Sequence, residues 1–461
     1  MNGNEEAVSA QQRRTVSWVV AIATIALVFD GFDLVVYGTV VSTLLRDPNQ
    51  LGTLDPAQAG ALGSYALMGV LVGALAAGAV GDHLGRRRIM ITGIIWFSVG
   101  MGLTAMAGSV ASFGIFRFLT GIGVGALVAT AGAVVAEFAP RGRRNFYNAV
   151  VYSGVPAGGV LAALLAIGLL NVVGWRGLFW IGALPLLFLL PMALAKLPES
   201  PAWLLSRGRI EEARQVAART GVVLDLPAGG IARAGEIHAE KIGAEKVQAE
   251  RVGFAALATR RYALPTLLLG LMSFSGLLLT YGLNTWLPEI MGQFGYGKEY
   301  ALAFLLVLNA GAIAGGVVAS ISADRVGAKP VVTTTFLLAG VAMVLLTLGL
   351  PFPVLAALTA VAGVGTIGTQ VLIYGLVSNY YTSNARGAGV AWCAGFGRLG
   401  GIFGPLVGGF LMAAGVRNEM AFHVFAAVAV LGAAVTTFVP RRNDAPDADL
   451  RHGLEPATAN N

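Results

Sequence analysis

Twelve apolar runs separated by short charged loops constrain this chain more than any single motif in it. They fall at 17–44, 57–80, 89–107, 112–138, 146–170 and 177–195, then at 262–287, 301–322, 331–350, 354–377, 388–412 and 420–438. A helix needs about 20 apolar residues to cross the hydrocarbon core of a bilayer, and inside that core only helices and closed barrels satisfy their own backbone. Charged residues supply just 12% of the 461 positions and hydrophobic ones 56%, whereas soluble domains carry about 25% charge. The sequence therefore predicts an all-α membrane protein with twelve transmembrane helices.

The loops set its orientation. Those after even-numbered runs carry Arg86, Arg87 and Arg88, then Arg141, Arg143 and Arg144, then Arg325 and Lys329, then Arg386; the odd-numbered loops hold Arg46, Arg176, Lys298 and Arg417. The positive-inside rule then puts both tails, 1–16 and 439–461, and the central linker, 196–261, in the cytoplasm of a multi-pass inner (plasma) membrane protein. This distribution accounts for the net charge of +7 without a nucleic-acid partner. The first run is too long for a signal peptide and lacks a small-residue cleavage site, so it reads as a retained helix. Cys393, the single cysteine, excludes an intrachain disulfide.

The linker turns charged and helix-forming, with Arg209 to Arg219 and Glu236 to Arg251 reading as amphipathic helices. It is too short and too poor in large apolar side chains for a catalytic domain. On either side, 17–195 and 262–438 read as two six-helix bundles related by a repeat. Gly81-Asp82-His83-Leu84-Gly85-Arg86-Arg87 recurs as Ala323-Asp324-Arg325-Val326-Gly327-Ala328-Lys329, and the same offset carries Arg144 onto Arg386. Such a repeat is the mark of a transporter whose halves rock about a central site.

The most expensive residues lie inside the runs. Between Thr15 and Leu45 the only charges are those of Asp30 and Asp33; an ionised carboxylate at that depth costs about 2.5 kcal/mol or more, so it must face protein or water. Spaced i and i+3, the two share a helix face that Tyr37 extends by a turn, as a proton- or ion-handling site or as a packing pair. Arg398 is the sole charge between Arg386 and Arg417 and lies about 15 Å into its helix. It can pair with the aspartates or receive an anion through two parallel hydrogen bonds. Arg117, near the outer end of the fourth run, is placed either to function or to snorkel as an anchor. Glu137, at that run's inner end, reads as a cytoplasmic gate charge. The four histidines, His83, His238, His423 and His452, are not clustered with carboxylates, and no phosphate-binding glycine loop precedes a lysine. No enzyme, metal or cofactor is expected.

From Gly78 to Arg88 the pattern Gly-x-x-x-Asp-x-x-Gly-Arg-Arg-Arg resembles the signature loop of the major facilitator superfamily, and the resemblance covers the whole chain. It implies two pseudo-symmetric six-helix bundles and a cytoplasmic latch built on Asp82 and Arg86, with Asp324, Arg144 and Arg386 as further gating or structural charges. Pro198-Glu199-Ser200-Pro201-Ala202-Trp203-Leu204 is similar to an element of the sugar porters, with Ala202 where an arginine is usual. Asp30-Gly31-Phe32-Asp33, Tyr281-Gly282-Leu283-Asn284-Thr285-Trp286-Leu287-Pro288 and Gly397-Arg398-Leu399-Gly400 together resemble the aromatic acid:proton symporter family. That likeness implies proton-coupled uptake of a benzoate or hydroxybenzoate by alternating access. It implies roles for Asp30 and Asp33 in proton coupling, for Arg398 in holding the carboxylate, and for Arg117 and Glu137 in transport. Phe32, Tyr37, Trp286, Tyr374, Trp392 and Phe396 are the rings available to stack on a substrate. Expected partners are the aromatic carboxylate, protons and lipid, with no obligate protein partner. A sugar, dicarboxylate or drug carrier of the same fold, or a transporter-like sensor, is the alternative.

Overall fold

The computed structural model describes residues 10–140, 143–222, 254–259 and 262–440. Span one is Ala10–Arg46, span two Pro56–Leu84, span three Arg86–Ala105 and span four Val110–Phe138. The chain then crosses twice in one apolar stretch, Phe146–Lys196, of 51 residues, about 75 Å as a single helix and far beyond a bilayer core of about 30 Å. The reversal comes at Gly174, whose backbone (φ 66, ψ −179) is not helical and suits only glycine. Beside it, Trp175 Nε1 donates to Gln50 Oε1 at 2.8 Å and Arg176 Nη2 to the carbonyl of Ala107 at 3.1 Å, which pins the turn to the neighbouring loops. Span five is therefore 144–173, span six 175–196.

Span seven is Ala263–Gln293, span eight Lys298–Val326, span nine Ala328–Leu345, span eleven Ser383–Ala413 and span twelve Asn418–Phe438. Span nine stops five residues before the sequence expectation, because Gly349 takes a positive φ and Pro351 opens the next helix. Span ten, Phe352–Tyr380, contains a single wide π turn at Val364–Gly368. Thr369 braces that turn, its Oγ1 bonding to the Val364 carbonyl at 3.0 Å and to Thr335 Oγ1 at 2.8 Å.

Within each half the helices approach through small residues. A Cβ at Gly121 or Gly125 would overlap the carbonyls of Ala66 and Val70, so spans two and four lie backbone against backbone. Between the halves, contact is concentrated on the side away from the termini. There Gly38 sits against the Asn284 carbonyl, Gly60 against Gly409, and Gly159 against the Asn309 side chain. Ser64 Oγ donates to the Ile402 carbonyl at 2.6 Å, Lys298 Nζ to Asn171 Oδ1 at 3.2 Å, and Arg46 pairs with Glu289 at 3.4 Å. Towards the terminus side, Gly78, Gly375, Gly387 and Gly395 have open space around them, and Leu75 is 67% exposed. Among the described residues, the polar contacts between the halves lie on the far side.

The linker packs under the first half. Its helices Pro201–Ser206 and Ile210–Thr220 follow Glu199, whose Oε1 accepts the backbone N–H of Arg87 at 3.1 Å and of Ser200 at 3.0 Å. Gln11 Nε2 reaches down to the Arg219 carbonyl at 2.7 Å. The expected second amphipathic helix, Glu236 to Arg251, lies outside the described residues, as does the tail from 441 onward.

Candidate functional site

The two aspartates of span one stand in different surroundings. Asp33 is fully buried and forms an ion pair with Arg117, which is 1% exposed. Arg117 also lies 5.3 Å from the ring centre of Tyr37 and 5.9 Å from that of Phe179. Tyr37, one turn beyond Asp33, donates its hydroxyl to the Ala59 carbonyl at 2.6 Å. Arg117 therefore does not snorkel to the outer surface. Spans one and four lie close enough for its guanidinium to end on a carboxylate, and a buried charge is stable only when so paired.

Asp30 is one turn nearer the terminus side and about 60° round the helix from Asp33, enough to turn it away from Arg117 and towards the gap between the halves. It is 4% exposed, and its Oδ1 makes no hydrogen bond. Across the gap stands Arg398 of span eleven, half-buried, which among the described residues has no hydrogen bond and no carboxylate within 4.0 Å. Its charge reaches Asp30, Tyr152, Tyr281 and Tyr374. These residues come from spans one, five, seven, ten and eleven, so both halves build the site.

Its walls are ordered from behind. Tyr281 packs its ring on Gly401, where a Cβ would come within 2.8 Å. Gln370 Nε2 donates to Ser273 Oγ at 3.0 Å, and both lie at the hydroxyl of Tyr374. The π turn immediately precedes Gln370 and Tyr374. By adding one residue to the helical circuit it sets the direction in which both point, and such turns recur at functional sites. Gly395, one turn before Arg398, faces open space.

Of the rings singled out from sequence, Phe32, Tyr37 and Trp286 are each sealed in a bundle. Phe32 packs on Phe29, Tyr37 holds Ala59, and Trp286 Nε1 donates to the Pro405 carbonyl at 2.8 Å. Trp392 and Phe396 stack on one another at 5.3 Å and cover Gly270 of span seven. By helical phase they stand about 240° and 200° round span eleven from Arg398. Tyr374 does reach the gap. Tyr281 lies within one of the quoted motifs and Tyr152 outside them; an aromatic with a polar tip inside an apolar run is the signal both carry.

Glu137 meets Arg86 at 3.3 Å on the terminus side. Asp324, Arg144 and Arg386 are exposed, and the side chain of Asp82 lies outside the described residues. The pair Arg46 and Glu289, joining the halves on the far side, was not foreseen.

A helical bundle in two halves with buried charges facing one another across the gap is the architecture of a major facilitator transporter. The chain belongs to the Sugar (and other) transporter family, which it matches over residues 19–442. It is 35% identical over 420 residues to the gentisate transporter of Corynebacterium glutamicum, covering 90% of this chain and 85% of that one. It is 31% identical over 426 residues to the benzoate transport protein of Acinetobacter baylyi, covering 91% and 88%. The inward-open structure of the xylose transporter XylE from E. coli superposes with a TM-score of 0.71 at 19% identity, covering 95% of this chain and all of that one, which shows the shared fold.

Proposed function

We propose that this protein carries an aromatic carboxylate into the cell together with protons, by alternating access. The observation that supports this best is Arg398, a cation facing the gap that has no hydrogen bond or ion pair among the described residues, opposite Asp30, whose Oδ1 is likewise unbonded. Arginine stays charged when buried and matches a carboxylate with two parallel hydrogen bonds. The tyrosines around it suit an aromatic ring.

The charges inside the chamber give the coupling. Asp33 and Arg117 cancel, and Asp30 and Arg398 cancel across the gap. A carboxylate settling on Arg398 leaves the site one charge negative, and one proton on Asp30 restores neutrality. In this scheme substrate and proton bind cooperatively, because either alone leaves a net charge in a poorly solvated chamber. Electroneutral entry also removes the opposition of an inside-negative potential, about 2.3 kcal/mol per charge per 100 mV. The arginine-rich loops put the terminus side in the cytoplasm of the inner membrane, so the chamber described here faces inward. Arg86 with Glu137 then belongs to the cytoplasmic gate. A single chain supplies every group this scheme uses.

The test is uptake of labelled benzoate and hydroxybenzoates into proteoliposomes with an imposed pH gradient, with xylose and succinate as controls. Gradient-dependent uptake of the aromatic acids alone is expected. Uptake of a control in their place overturns the substrate assignment, and aromatic uptake indifferent to the gradient overturns the coupling.

A further inference from the structure

Holding a carboxylate and a flat ring requires Arg398 and apolar walls; the chamber contains more. Three phenol groups stand within reach of the Arg398 charge: Tyr152 from the first half, and Tyr281 and Tyr374 from the second. Their surroundings differ. The Tyr152 hydroxyl is 3.5 Å from the Val128 carbonyl, a marginal bond. That of Tyr374 lies beside Gln370 and Ser273, which are bonded to each other at 3.0 Å. The hydroxyl of Tyr281 has no hydrogen-bond partner among the described residues, although Asp30 and Arg398 both lie near it and its ring is fixed against Gly401. A phenol clamped by its ring, with Asp30 and Arg398 nearby and its polar tip unbonded among the described residues, is a group suited to meet a ligand's polar atom. Because an O–H both donates and accepts, it complements a ring hydroxyl and gains nothing from an unsubstituted ring edge.

We propose that Tyr281, backed by Tyr374, reads a hydroxyl on the substrate ring, so that hydroxybenzoates are carried in preference to benzoate. This rests on the aromatic-carboxylate reading above and adds a specificity residue to it. Arg398 binds the carboxylate common to all these acids. Tyr281 supplies the part of the affinity that differs between them, since a site made to hydrogen-bond a substrate hydroxyl discriminates against the analogue lacking it.

The experiment compares half-saturation concentrations for benzoate, 4-hydroxybenzoate and a dihydroxybenzoate in the native protein, in Tyr281→Phe and in Tyr374→Phe. The Tyr281 change removes one oxygen and leaves the ring on Gly401. The native protein is expected to favour at least one hydroxylated acid over benzoate by about tenfold, the effect of one hydrogen bond. Tyr281→Phe should erase that preference by raising half-saturation for the hydroxylated acids more than for benzoate; Tyr374→Phe should weaken it partially. Equal affinity for benzoate and its hydroxylated forms, or an equal loss for all acids in Tyr281→Phe, overturns the proposal while leaving the carboxylate reading intact. Uptake of none of them overturns both.

Discussion

Replacing Asp33 by Asn should do far more damage to the fold than the same change at Asp30, although both should abolish accumulation. Asp33 and Arg117 are 0% and 1% exposed, in direct contact, with two rings against the guanidinium. Asp33→Asn strands Arg117 among apolar groups, and breaking a pair at such burial costs about 3–5 kcal/mol, a hundredfold or more in the folded-to-unfolded ratio. Among the described residues Asp30 makes no hydrogen bond through Oδ1 and no ion pair within 4.0 Å, so Asp30→Asn removes no partner and should cost far less than Asp33→Asn. The assay is thermal unfolding of each purified variant in detergent, read by loss of the monodisperse peak. The double change Asp33→Asn with Arg117→Gln closes the cycle. With both charges gone it should recover most of the stability lost by Asp33→Asn, because an intact buried pair contributes little net. If Asp33→Asn melts like the native protein, or Asp30→Asn melts as early as Asp33→Asn, the division of labour argued here is wrong.

Arg398→Lys keeps the charge but loses the two-pronged geometry; half-saturation for an aromatic acid should rise about tenfold with the melting temperature unchanged, measured by uptake and by the same melt. Glu289→Gln removes the far-side tie to Arg46, which is 62% exposed at its side chain. Such a pair is worth at most about 1 kcal/mol, so a Ser64→Cys reporter in a Cys393→Ser background should label from the far side about two- to fivefold faster. Proton and substrate fluxes measured together should give one proton per monocarboxylate, with no charge movement under voltage clamp of a supported membrane; a net current refutes the neutral-site account.

The spans were readable because apolar length is a local property, and the loops because Arg86 to Arg88 and their counterpart at Lys329 mark one membrane face. Asp30, Asp33 and Arg398 stand out for a similar reason: a charge within an apolar run is visible without knowing its neighbours. What the run does not disclose is the partner. An i, i+3 spacing reads as one shared face, yet the 60° between the aspartates falls on either side of the boundary between a sealed bundle and an open chamber. Arg117 is peripheral along span four, whereas its environment comes from spans one and six. Phe32 and Trp286 carried no mark distinguishing packed rings from lining rings. Tyr152 and Glu289 matter only once distant spans meet. The π turn before Gln370 has no compositional sign in Val364-Gly365-Thr366-Ile367-Gly368.

That wide turn leaves span ten holding one amino acid more than a regular coil of equal length would need. Straightened at constant length, everything after it would swing by about 100°, carrying Gln370 and Tyr374 off Arg398. A deletion inside the loop would instead preserve their aim and remove the slack. Since a bulge of this kind can migrate by exchanging one backbone bond for the next, span ten has a quarter-turn in reserve that its eleven companions, as far as they are described, do not.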